Sequence, residues 1–91
     1  MSEFEEKLHQ WIDKVADIIP DKATVWVYTE VEFMDMVCLN VRWQTEDGSK
    51  QATDPFLLGS LARQSAAEQT AVDVLKNNGI NADRGVGWAE D

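Results

Sequence analysis

Residues 24–45, TVWVYTEVEFMDMVCLNVRWQT, decide the fold. Successive side chains of a strand point to opposite faces. A first strand therefore sets Val25, Val27, Val31 and Phe33 on one side, with Thr29 among them, and Trp26, Tyr28, Glu30 and Glu32 on the other. A second strand sets Val37, Leu39, Val41 and Trp43 against Cys38, Asn40, Arg42 and Gln44. This alternation is that of a sheet packed on one side and wet on the other. A slip of one residue would send one strand's apolar set into water, so the apolar faces must stay together. The expected register pairs Phe33 with Val37, Val31 with Leu39, Thr29 with Val41 and Val27 with Trp43. It closes on the loop Met34-Asp35-Met36, with Asp35 suited to positive φ. It also sets Tyr28 opposite Arg42 and Glu32 opposite Cys38.

Upstream, residues 2–19 read as an amphipathic helix. Phe4, Leu8, Trp11, Ile12, Val15, Ile18 and Ile19 recur at helical spacing. Ser2 and Glu5 fit a capping box, Glu3, Glu5 and Glu6 suit the positive end of the helix dipole, and Pro20 is the stop. Downstream, Glu46-Asp47-Gly48-Ser49 has the chemistry of a turn, and residues 50–53 have room for a short third strand at an edge. Asp54-Pro55 predicts a helix start, with Asp at the N-cap and Pro at the first helical position. The region 56–79 then reads as one helix, or as two with a break near residues 63–65, where Ser65 and Glu68 offer a second capping box. Gly79 and Ile80 supply its C-terminal signal. Residues 81–91 form an acidic tail in which Val86 and Trp88 either make a last short strand or dock on the sheet.

The expected architecture is a single α+β domain over residues 1–91. It is a two-layer α-β-β-β-α sandwich, with an antiparallel sheet of three strands, or four if the tail adds one, and the helices on one face. The double-stranded-RNA-binding domain has the same element order. Its second helix opens with a lysine cluster that holds phosphates, whereas the corresponding stretch here, SLARQSAAEQT, has Arg63 as its one basic residue. The shared order therefore implies nothing about function.

With 91 residues and 44% apolar composition, the chain can bury a modest core without staples. One cysteine permits no internal disulfide, so a reducing cytoplasm is expected. No apolar run is long enough to span a bilayer, and the acidic N-terminus lacks the layout of a signal peptide. Eight basic residues against 17 acidic ones give a net charge of −9. That balance argues against direct contact with nucleic acid or an anionic membrane and suits a partner with a basic surface.

No pattern of residues specifies catalysis, a cofactor or a metal site. His9, Asp13 and Asp17 share one helical stripe, which reads as a solvated face. Cys38 has carboxylate neighbours, the opposite of what activates a thiolate. Glu30 and Glu32 share an open face with no pocket to separate their pKa values. Gly85-Val86-Gly87 does not open a helix and is too short for a phosphate loop. The wet face is the candidate partner-binding surface, through Trp26, Tyr28, Glu30, Glu32, Asn40 and Arg42, because aromatic anchors beside charges are what such a surface needs. The competing reading is that the tail folds over those aromatics. The expected function is a non-enzymatic inhibitor of a basic, nucleic-acid-handling protein, such as a phage anti-CRISPR or anti-restriction protein acting in a bacterial cytoplasm. The alternatives are a toxin immunity protein, an effector chaperone, or a homodimer joined through the sheet face.

Overall fold

The computed structural model describes residues 2–88, with the backbone alone at Phe33. Helix α1 (Glu3–Ile18) starts where Ser2 Oγ accepts the Glu5 N–H at 3.2 Å. It ends as the chain turns extended at Ile19, before Pro20. Leu8, Ile12 and Val15 make its buried stripe, while Ile18, expected on that stripe, is exposed.

Strands β1 (Thr24–Glu32) and β2 (Met36–Gln44) form the hairpin, with the two faces divided as the alternation requires. Val25, Val27, Val37, Leu39, Val41 and Trp43 are buried in the core. The register differs from the expected one by two residues: Val25 pairs with Trp43, Val27 with Val41, Thr29 with Leu39 and Val31 with Val37. The loop is accordingly Phe33–Asp35, a turn in which Met34 and Asp35 both take left-handed backbone, with φ 63° and 58°. A two-residue shift keeps every side chain on its own face, so the hydrophobic pattern cannot tell the two registers apart and turn geometry chooses. Tyr28 therefore faces Asn40, Trp26 faces Arg42 and Glu30 faces Cys38.

After a turn at residues 45–49, β3 (Lys50–Ala52) pairs with residues 42–44 of β2. The helix expected from Asp54-Pro55 does not form there. Instead β4 (Phe56–Leu57) pairs with Cys38 and Leu39, and the Leu58 N–H donates to the Val37 carbonyl at 2.8 Å. Phe56 packs against the Phe4 and Trp11 rings and Leu58 is fully buried, while Leu57 between them is exposed. This period-2 burial wins because an unpaired β2 edge offers hydrogen bonds at once, and Gly59, at φ 79°, then breaks the chain direction.

Helicity resumes with a 3-10 turn (Leu61–Arg63), where Ser60 Oγ accepts the Ala62 N–H, and continues as α2 (Gln64–Asn77). Ser65 and Glu68 do not cap it. Its far end is a Schellman motif: the Ile80 N–H reaches the Leu75 carbonyl and the Gly79 N–H reaches that of Lys76, with Gly79 at φ 77°. Strand β5 (Asn81–Arg84) then lies parallel to β1, opposite residues 24–27.

The fold is thus α+β, as expected, with two helices packed on one face of the sheet. Among the described residues the sheet has five strands rather than three or four, and it is mixed. Its order is β3-β2-β1-β5, with β4 beside β3 on the same flank of β2. Among the described residues no helix is long and apolar enough to cross a membrane.

Candidate protein-binding face

The outer face of the hairpin divides into two halves. Over the half near β5 lies the end of the described chain. The Gly85 N–H donates to the Val27 carbonyl at 2.8 Å, and the Trp88 N–H then donates to the Val86 carbonyl at 3.0 Å. Between those two residues Gly87 has φ 82°, so the chain reverses in a γ-turn. Gly87 rests on the Trp26 indole: a Cβ there would come within 2.5 Å of Trp26 Cδ2. Trp88 meets Trp26 edge-on, with ring centroids 5.6 Å apart at 89°.

Arg42 is held between two rings, its guanidinium carbon 4.4 Å from the Tyr28 centroid and 4.5 Å from that of Trp88. Its Nη2 donates to the Tyr28 hydroxyl at 2.7 Å and its Nη1 to the Trp88 carbonyl at 3.4 Å. The expected Tyr28–Arg42 contact is therefore made, but diagonally, since Tyr28 lies directly opposite Asn40. Arg42 is 3% exposed, so these rings and oxygens replace its water.

The six nominated residues separate accordingly. Trp26 is half-buried beneath Gly87 and Trp88, and Arg42 is enclosed. Asn40 is buried, and its side-chain amide donates to the Cys38 carbonyl at 3.3 Å. Tyr28 is half-buried, while Glu30 and Glu32 are exposed. The part of residues 81–91 that contains Trp88 docks on the sheet; residues 89–91 and the Phe33 side chain lie outside the described residues.

The other half, toward the hairpin turn, has no such cover. On the opposite, inner face the helix layer reaches only as far as Thr29, whose Oγ1 donates to Glu68 of α2 at 2.6 Å. Two residues further along the same face, Val31 is 52% exposed. Met34 is 81% exposed in the turn, and Met36 and Leu57 are exposed on the outer face, opposite Glu32 and Cys38. Asp35 is exposed in the turn itself. Exposed apolar side chains thus lie on both faces of this end, Val31 on the inner one and Met36 on the outer one beside Glu30 and Glu32, with Met34 and Asp35 in the turn between them. Sequence periodicity places Val31 in the core, because it cannot say where along the strand the helix layer stops.

Glu68 is the second residue whose role the sequence hides. It is buried and accepts from Thr29 and from Arg84, whose Nε and Nη2 both lie 3.0 Å from its Oε1. This carboxylate joins α2 to β1 and β5. No local pattern signals it, since its two main partners are 39 and 16 residues away in sequence.

Burial pushes the Cys38 thiol above its ordinary pKa, and Glu32 and then Glu30 push it further. This is the reverse of activation. His9 is half-buried beside a groove of about 420 Å³ lined by Phe4, Leu8, Arg63 and Thr70, while Asp13 and Asp17 are exposed. Among the described residues no group of three or more His, Cys, Asp or Glu side chains is placed to hold a metal. Comparison with known proteins matches the chain to no family model, no curated protein and no solved structure.

Proposed function

We propose that the protein is a non-enzymatic, acidic binding module that occupies and blocks a basic site on a larger protein. A nucleic-acid-handling protein is the natural target, and a phage inhibitor of a bacterial defence system, of anti-CRISPR or anti-restriction kind, is the corresponding role. Its place of action would be the cytoplasm of the bacterium. The observation that carries this reading is the uncovered end of the hairpin, where exposed Met36 lies opposite exposed Glu32 on the outer face, beside exposed Glu30 and the exposed Met34 of the turn. Apolar anchors supply contact energy at an interface, and the charges around them choose the partner. A net charge of −9 adds long-range attraction to a basic cleft.

The test is capture of partners by the tagged protein at low and high salt, beside a Glu30→Lys/Glu32→Lys variant. Both glutamates are exposed, so the variant should keep its circular dichroism. The expected result is a basic partner that elutes with salt and is lost with the charge reversal. Undiminished capture by the variant would remove this reading, and capture of a toxin or effector would assign the same surface to an immunity protein or chaperone. Trp26→Ala is a poorer probe than it looks from the sequence, because it also unseats Gly87 and Trp88.

A further inference from the structure

The hairpin has two lateral edges, and the fold fully closes one of them. Along β2, the Val37 carbonyl accepts the Leu58 N–H and the Val41 carbonyl accepts the Thr53 N–H, with β4 and β3 paired beside them. Along β1, β5 pairs with residues 24–27 and stops. The Gly85 N–H meets the Val27 carbonyl, and the chain then leaves the edge to lie over Trp26. Alternate residues of a strand direct their N–H and C=O to the same side. The backbone groups of Thr29 and Val31 therefore point the same way as the Val27 carbonyl. Among the described residues none is hydrogen-bonded to them there. A row of unpaired backbone groups is a template for another strand.

The charges beside this edge decide which strand it can accept. A second copy of the chain, paired antiparallel about a two-fold axis, must keep inner faces with inner and outer with outer. The registers that do so and stay clear of β5 set Glu30 opposite Glu30, or Glu30 opposite Glu32. Like charges directly opposite destabilise a pair. A segment with Lys or Arg at alternate positions meets opposite charges at the same two places, and its intervening apolar residues fall beside Thr29 and Val31.

We propose that the open edge of β1, residues 29–32, receives an extended segment of a partner protein carrying Lys or Arg at every second position, held by main-chain pairing. This mode of recognition takes affinity from the backbone and specificity from alternate side chains. The proposal rests on the protein-binding reading above and states how the partner is held.

The probe is a capped peptide alternating lysine and valine, with a glutamate–valine peptide as its control. The readout is amide hydrogen exchange at Thr29 and Val31, followed by NMR on the full chain. The lysine peptide should slow exchange at both amides by at least about tenfold at saturation, as strand pairing does. The glutamate peptide should leave them unchanged. Val31→Pro deletes an edge N–H that the fold does not use, and an outward-facing edge position tolerates proline. It should abolish the protection while keeping native circular dichroism. Should that variant misfold, Glu30→Lys/Glu32→Lys provides the independent check, because it should reverse the preference toward the glutamate peptide. Unchanged exchange at Thr29 and Val31 with the lysine peptide, or equal protection by both peptides, overturns the proposal. If charge reversal still abolishes capture of the natural partner in that case, the binding reading stands and only the strand pairing falls. If the edge is protected but no basic partner is ever captured, the reverse holds.

Discussion

At Gly87 a missing side chain lets the end of the described chain lie flat on Trp26. The γ-turn needs φ 82° there, and a Cβ would stand 2.5 Å from the indole, so two independent costs fall on one substitution. Gly87→Ala should lift residues 85–88 from the sheet and cost about 1–3 kcal/mol. Trp26 and Arg42 then become wet, so tryptophan fluorescence should shift to the red and acrylamide should quench it more strongly, with the far-ultraviolet spectrum unchanged. Quenching like that of the parent protein would mean that the contact with Trp26 does not hold this segment in place. Cys38, a few residues along the same face, tests the opposite property, inaccessibility. Its thiol is buried and its pKa raised, first by that burial and then by Glu32 and Glu30. A thiol reagent at mild alkaline pH should therefore label it on the order of a hundredfold more slowly in the native protein than in urea. The sign of the linkage follows. The unfolded chain loses this proton first, so the contribution is full below the ordinary cysteine value of about 8.5 and declines as pH rises from there through the folded-state pKa. Labelling as fast in the native state as in urea would show that Cys38 is open to solvent.

Elements were legible wherever their signals are local. The first helix carries its cap at Ser2, its stripe at Leu8, Ile12 and Val15 and its stop at Pro20 within one short stretch, and all three act as written. The end of α2 is equally local, in the Schellman turn at Gly79. The hairpin's two faces were readable, but its register was not, since the pattern repeats every two residues and Met34 gives no sign that it will take positive φ. What failed was competition at a distance. Asp54-Pro55 is a sound helix signal, yet Phe56 and Leu58 find the β2 edge and the Phe4 and Trp11 rings, which no local pattern reveals. The candidate surface follows the same rule. Glu30 and Glu32 could be placed outside from alternation alone, whereas the covering of Trp26 and the exposure of Val31 depend on where the tail and α2 lie. A pair of substitutions measures the difference between a signal that acts and one that is overridden. Gly79→Ala meets no atoms within 4 Å, so its cost is that of the left-handed backbone alone, about 1 kcal/mol. Asp54→Ala removes a residue that caps no helix here and should change stability by less than about 0.5 kcal/mol, against about 1 kcal/mol for a true N-cap. Thermal melts of the two variants should therefore separate clearly. An Asp54→Ala penalty as large as that of Gly79→Ala would restore the helix start that the sequence implies.

For the whole molecule, one charge imbalance acts on stability and on association in opposite directions. The 17 acidic residues outnumber the basic ones by more than two to one, and two of the few cations, Arg42 and Arg84, are already engaged within the fold. Surface carboxylates therefore repel one another across a small body, which weakens the compact state and raises the pull on a basic partner. Salt screens both effects, with a Debye length near 10 Å at about 0.1 M ionic strength. Raising sodium chloride from roughly 0.01 M to 0.15 M should thus increase the melting temperature by a few degrees while weakening partner capture. Added salt also distinguishes a heterologous partner from a second copy. If the glutamates at the open edge of β1 are what keep copies apart, light scattering should report a monomer at micromolar concentration in low salt. Glu30→Lys/Glu32→Lys should not dimerise with itself either, since lysine would then face lysine. Only a mixture of the parent and the reversed variant sets unlike charges across the shared edge. A mixed dimer from that pair, with monomers from each alone, is the expected result. Dimers of the parent protein alone at low salt would mean that the edge accepts its own copy despite the glutamates, and that a symmetric assembly is what occupies it.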